Sequence, residues 1–309
     1  MPLIDTGHKV KLETIVYGEP DAPAILLIQG LGTPLTRWQT SLPKRLVDAG
    51  FRVITFDNRD IGLSTQMDTL GLPDIKSLMS VSLSALSMPV PPSRVALATS
   101  YTLDDMALDA TALLDALHID AAHIVGASLG GMIAQWLAFR YPTRCLSLTS
   151  IMSSSGNLLL PSPTPAAMHA MFAPLPGSRD EAALVEDCIW RQKVLMSPGY
   201  PTSDDELRAM FTSEYRRAGF HPKGVIRQVS ALLSAGDRRA MLLSVRAPTV
   251  VLHGEDDPLI NIACGHDTAA AIPGAEFRSI PGMGHDFPEA LAGEFASAIL
   301  AAAQRAENR

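Results

Sequence analysis

Gly126-Ala127-Ser128-Leu129-Gly130 sets a serine between two glycines, after a strand-like run over 122–125 and before a helix-like run over 131–138. A strand that turns sharply into a helix at Ser128 forces that serine into a strained backbone conformation. Side chains at the flanking positions would then collide with the neighbouring strand and helix, which is why glycine stands there. The same turn aims the Leu129 amide, at the start of the helix, toward any oxyanion formed on Ser128. A serine hydroxyl is a weak nucleophile until a base takes its proton, so the chemistry requires a histidine within reach.

Of eight histidines, His285 lies in the glycine-rich stretch Pro281-Gly282-Met283-Gly284-His285-Asp286, after the last strand-like run. A side chain there can reach the carboxyl edge of a sheet. His253 ends a strand and His123 sits inside one, so structural roles suit them. His8, His118, His169, His221 and His266 have no comparable context. The imidazole needs a carboxylate that sets its tautomer and stabilises its protonated form. The run Val250 to Gly254 is followed by Glu255, Asp256 and Asp257, so neighbouring acids compete. The usual place for this acid, three residues after the glycine, selects Asp257; Asp256 is the alternative and Glu255 the weakest candidate. A second oxyanion donor is expected in Gln29-Gly30-Leu31-Gly32, where the glycines free the backbone to turn the Leu31 amide toward Ser128.

These residues must be held by alternating strands and helices. Runs rich in β-branched or apolar residues, Ala24 to Ile28, Arg52 to Phe56, Ala121 to Val125, Cys145 to Ser150, Pro248 to His253 and Glu276 to Ile280, read as strands. Helical patterns cover Arg37 to Ala49, Leu103 to Leu117, Leu129 to Tyr141, Ile262 to Ala271 and Pro288 to Ala303, and Lys9 to Tyr17 reads as an antiparallel arm. The rhythm predicts an α/β class fold with a mainly parallel sheet flanked by helices. Residues 1–154 and 247–309 form its core. Residues 155–246 read as a helical cap inserted before the acid-bearing strand, in which Ser178 with Glu181 and Ser203 with Glu206 have capping-box spacing. Residues 70–100 form a smaller insertion. Within it Ser77, Ser80, Ser84 and Ser87 share one helical face, leaving Leu83 and Leu86 on an apolar surface that reads as a possible lid before Pro89, Pro91 and Pro92.

Composition removes several function classes. With 47% hydrophobic and 18% charged residues the chain is globular, and a net charge of -7 without a basic run argues against a nucleic-acid partner. Three widely spaced cysteines, Cys145, Cys188 and Cys264, predict neither a disulfide framework nor a metal site. The amino terminus shows no apolar signal region, so cytoplasm is the expected location. Ala121 to Phe139 carries no formal charge, but Gly126, Gly130 and Gly131 interrupt it, so strand-turn-helix explains it better than a membrane span.

The order serine, acid, histidine is that of the α/β-hydrolases. From about Lys9 to the carboxyl terminus the chain resembles bacterial α/β-hydrolase-fold esterases, including the aclacinomycin-methylesterase-like branch. Asp57-Asn58-Arg59-Asp60-Ile61-Gly62-Leu63-Ser64 is similar to the D-x-R-G-x-G-x-S turn of that family, and Ile280 to His285 to its histidine loop. Two positions depart: Gln29 stands where His is frequent, and Asp60 replaces the first glycine of the turn. In some relatives the acid follows the preceding strand, but Thr149 to Gly156 contains none. The resemblance implies a serine hydrolase that cleaves a small-molecule carboxylic ester or lactone of apolar character through an acyl-enzyme, with no cofactor. The same parts also serve C–C bond hydrolysis or perhydrolysis, and a non-catalytic receptor on this fold is the reading of a different class. Serine at position 128 excludes dehalogenases and epoxide hydrolases, which attack with a carboxylate.

Overall fold

Both faces of the central strands are apolar, so alternate residues feed two separate cores. Leu26, Ile28, Ile54, Phe56 and Ile124 pack on one side, and Ile25, Leu27, Val53, Val125 and Leu252 on the other. The computed structural model describes residues 3–38, 41–74, 99–178 and 180–308. Its strands are β1 (Leu3–Asp5), β2 (Lys11–Tyr17), β3 (Ala24–Ile28), β4 (Arg52–Phe56), β5 (Ala122–Ala127), β6 (Cys145–Ile151), β7 (Thr249–Gly254) and β8 (Glu276–Ile280). They make one sheet in the order β1-β2-β4-β3-β5-β6-β7-β8. β1 pairs antiparallel with β2 and β2 antiparallel with β4, and the remaining pairings, from β4 through β8, are parallel.

Register then collects the site. Ile28 pairs with both Phe56 and Gly126, Ile151 with both Ala127 and Leu252, and Gly254 with Ile280. The residues that follow these strands therefore emerge along one edge, at the carboxyl ends, where open α/β sheets bind ligands.

Helix α1 (Ser41–Asp48) and the terminal α10 (Ala292–Glu307) cover one face through Leu42, Leu46, Phe295 and Ile299. Helices α2 (Leu103–Ala116) and α3 (Leu129–Arg140) cover the other through Met106, Leu113, Ile133 and Leu137. Between β6 and β7 lie α4 (Pro165–Phe172), α5 (Glu181–Leu195), α6 (Asp204–Ala218), α7 (Pro222–Ala235) and α8 (Arg239–Leu242). Helix α9 (Ile262–Ala271) links β7 to β8. The uncharged stretch around Ser128 is β5 followed by α3, and among the described residues no helix is long and apolar enough to cross a membrane.

Two local expectations need correction. The helix expected from Arg37 starts at Ser41, because Leu35–Arg37 is a 3-10 turn whose Leu35 amide is bound by the Asp57 carboxylate at 2.7 Å. Ser203 and Glu206 do form a capping box. Ser178 and Glu181 do not: Asp180 caps α5 by accepting from the Ala183 amide at 2.8 Å, and Ser178 donates to Asp180 instead. An ionised carboxylate one residue before the helix is the stronger acceptor for its free amides. Glu181 pairs with Arg216 across the α5 and α6 contact.

The helices between β6 and β7 are fastened to the core by charge. The Arg227 guanidinium of α7 forms a two-pronged pair with Asp60, at 2.8 and 2.6 Å, with both side chains at or below 1% exposure. Tyr101 Oη and the Met67 amide also donate to Asp60, at 2.8 and 2.7 Å. This accounts for the departure at position 60. Asp60 adopts φ +73°, the region a glycine would favour, and its carboxylate is the anchor for α7. Arg227→Met should leave that carboxylate buried without its cation and lower stability by about 3–5 kcal/mol. Denaturant unfolding would measure it; a loss below about 1 kcal/mol would contradict this account. The double variant Asp60→Gly with Arg227→Met should recover most of the loss, since it removes both charges.

Candidate active site

Ser128 stands between β5 and α3 at φ +53° and ψ -120°, a conformation rarely open to residues other than glycine. Close packing holds it there. A Cβ at Gly126 would overlap the Gly130 carbonyl oxygen, and one at Gly130 would overlap the carbonyl oxygens of Ile28 and Gln29. A Cβ at Gly131 would meet the side chain of Ser153, whose Oγ donates to the Ser128 carbonyl at 2.8 Å. Because the obstacle at Gly130 is backbone, Gly130→Ala should cost about 1–3 kcal/mol of stability as an overpacked site. An unchanged urea midpoint would contradict so close an approach.

The histidine loop after β8 brings the His285 ring onto this serine. His285 Nε2 lies 3.0 Å from Ser128 Oγ, and Nδ1 lies 2.7 Å from Asp257 Oδ2. A carboxylate only accepts, so Nδ1 carries the proton and Nε2 turns its lone pair to the hydroxyl. The loop is clamped by the end of α5 and the segment after it: the His285 amide donates to the Leu195 carbonyl at 2.7 Å and the Gly284 amide to Ser197 Oγ at 2.9 Å. The Ser197 amide donates in turn to Asp286 Oδ1 at 3.1 Å.

Asp257 is completely buried at its side chain, whereas its neighbours Asp256 and Glu255 are exposed. Its Oδ1 accepts the amides of Leu259 and Ile260, each at 2.8 Å, which leaves Oδ2 for the histidine. Burial alone would raise this carboxyl, but the charge and hydrogen bond of His285, with the neighbouring His253 ring, outweigh it and hold it well below the usual carboxylate range. Asp256 accepts from the Gly282 amide at 2.9 Å, supporting the histidine loop from below, and Glu255 accepts from Ser279 at 2.7 Å.

The loop after β3 approaches from the other side, where a Cβ on Gly30 would sit 3.2 Å from the Ser128 Cβ. The Gly30 amide donates to Gln29 Oε1 at 3.0 Å. Among the described residues, the Leu31 and Leu129 amides have no acceptor. The arginine turn supports the loop. Asn58 Nδ2 donates to the Gln29 carbonyl at 2.9 Å, and Asp57 accepts from the amides of Leu35 and Leu63 and from Arg217 of α6. Ser64 Oγ closes the turn on the Asp57 carbonyl at 2.6 Å, and Arg59 pairs with the buried Asp109.

His253, read from its strand-end position as a structural histidine, donates through Nε2 to the Ile260 carbonyl at 2.7 Å and lies 3.5 Å from Asp257 Oδ2. One residue near these groups carried no sequence signal. Gln228 of α7 touches the loop after β3 from a distant part of the chain. Leu83 and Leu86, with the apolar surface expected around them, lie outside the described residues.

The chain belongs to the alpha/beta hydrolase fold family, whose sequence profile matches residues 23–289, and it is a hydrolase. Rhodomycin D methylesterase of Streptomyces peucetius is 28% identical, the alignment covering 96% of each chain. A Variovorax paradoxus protein whose name gives it as a carbamate hydrolase is 27% identical over 92% of this chain and 93% of its own. Among solved structures, the enol-lactonase from Burkholderia xenovorans LB400 superposes with a TM-score of 0.65 at 22% identity, covering 96% of this chain and 98% of that one.

Proposed function

We propose that this chain hydrolyses a carboxylic ester or lactone of a small to medium apolar substrate, with Ser128 as nucleophile, His285 as general base and Asp257 as its orienting carboxylate. The observation that carries this reading is the unbroken hydrogen-bonded chain Asp257, His285, Ser128, at 2.7 and 3.0 Å. As Ser128 Oγ attacks the carbonyl carbon, its proton passes to His285 Nε2, and the carbonyl oxygen becomes an oxyanion beside the Leu31 and Leu129 amides. The imidazolium then gives that proton to the departing alkoxide, leaving an acyl-enzyme. Water, deprotonated by the same nitrogen, attacks the acyl carbon, and collapse of the second oxyanion releases the acid and restores the Ser128 hydroxyl. Helices α4 to α8, within residues 155–246, are read as a cap over the core of 1–154 and 247–309.

The methylesterase name of one relative and the enol-lactonase title of the structural neighbour support the ester or lactone reading. Fluorophosphonate labelling, with and without Ser128, tests the nucleophile; turnover of a panel of p-nitrophenyl esters, lactones and a carbamate tests the reaction. Labelling that depends on Ser128 together with ester or lactone turnover is the expected result. Labelling without turnover would favour a ligand receptor, and turnover confined to the carbamate would overturn the substrate class.

A further inference from the structure

The amides of the loop after β3 divide by what they are bound to. Gly30 donates to Gln29, Thr33 donates to the Gly30 carbonyl at 3.3 Å, and Gly32 donates to Gln228 Oε1 at 3.0 Å. Leu31, between them, has no acceptor among the described residues. Gln228 is 0% exposed, and its Nε2 donates to the Arg59 carbonyl at 3.0 Å. One buried side-chain amide of α7 thus ties the loop after β3 to the turn after β4.

We propose that Gln228 is a positioning residue for the oxyanion hole: by holding the Gly32 amide it fixes the peptide planes that present the Leu31 amide to the reacting oxygen. The inference rests on the ester-hydrolase reading above. Gly32 has φ +66° and no side chain, so nothing within the residue itself restricts the loop. The restriction comes from α7, where Val225 packs against Gly32 and Gln228 bonds to it. The adjoining Arg227, paired with Asp60, and Gly224, against the Asp60 backbone, set the depth of the helix. An oxyanion donor works only within a few tenths of an ångström of its ideal position, and a displacement near 1 Å costs about 100-fold in rate. A segment inserted between β6 and β7 thereby completes a donor set that otherwise comes from the loops of the sheet.

Gln228→Met keeps the side-chain length and removes both hydrogen bonds. Its kcat on p-nitrophenyl butyrate should fall about 10- to 100-fold while KM changes by less than about twofold. Affinity for an alkyl trifluoromethyl ketone, which forms an oxyanion on the serine, should weaken by the same factor. Gln228→Glu in its protonated form keeps an acceptor for Gly32 and a donor for the Arg59 carbonyl, so it should recover most of the kcat where that carboxyl is neutral. A folded Gln228→Met with unchanged kcat and ketone affinity, or one altered only in KM, would overturn the proposal. Amide hydrogen exchange on the wild-type chain needs no variant: Gly32 should be protected throughout, and Leu31 should gain protection when the ketone binds. Rapid exchange at Gly32 would also overturn it. Ser128→Ala separates the two readings, since undiminished turnover there defeats the ester-hydrolase reading, whereas exchange at Gly32 still reports on Gln228.

Discussion

Ser128→Ala should lower kcat on any ester substrate by about six decades, leaving a residual rate about three to four decades above that in water. The variant loses the hydroxyl oxygen that lies 3.0 Å from His285 Nε2 and that would accept the acyl group. It retains the amides of Leu31 and Leu129, the proposed oxyanion donors, which should account for the residual activity. KM should change little, because the hydroxyl contributes to the transition state far more than to ground-state binding. Folding should be preserved, since alanine carries the same Cβ into the same φ of +53°. Active-site titration with a fluorophosphonate, followed by steady-state kinetics, checks both halves; a rate within tenfold of wild type would remove Ser128 from the mechanism.

Asp257→Asn should cost about four decades in kcat, again with the fold intact. Asn keeps a carbonyl oxygen for the Leu259 and Ile260 amides but turns an NH2 toward His285, so the ring must present its proton to Ser128 instead of its lone pair. Asp256→Asn is the control: that side chain is exposed, and an asparagine oxygen can still accept from Gly282, so kcat should stay within a few-fold. The reverse ranking of the two variants would move the role to Asp256. Acidification gives an independent check. The Asp257 carboxyl is held below the usual range, so its contribution to stability is present above the unfolded value of about 3.9 and is lost only as pH falls through its lower folded value. An acid limb of kcat/KM above about pH 4 therefore reports protonation elsewhere in the site.

The sharp turn at Ser128 was legible because much of its cause is local. Gly126 is denied a Cβ by the Gly130 carbonyl four residues on, and apolar runs on either side announce which is strand and which is helix; the obstacle at Gly130, the carbonyls of Ile28 and Gln29, comes from β3 and appears only in the fold. The strands were legible for a similar reason, since sheets covered on both faces require continuous apolar runs. Local pattern failed where a competing partner lay nearby. Ser178 and Glu181 have the right spacing, yet Asp180 between them takes the cap. The helix expected from Arg37 is delayed because Asp57, in the turn after β4, binds the Leu35 amide.

What the sequence by itself determined was the set of chemical groups and the strand ends that carry them: a serine at a strained turn, a histidine on a glycine-rich loop, and an acid among three neighbours. The position three residues after the glycine pointed to Asp257, but only the tertiary structure supplied the physical reason that this acid faces the ring. Glu255, Asp256 and Asp257 differ little in pattern, and the turn after β7 sends Asp257 inward to two amides and His285 while the others meet solvent. It alone explained Asp60, whose left-handed backbone is compensated by Arg227 from far along the chain, and it alone brought Gln228 to Gly32. Such pairings leave no periodicity, because they join residues that folding makes neighbours only after each element has formed for its own local reasons.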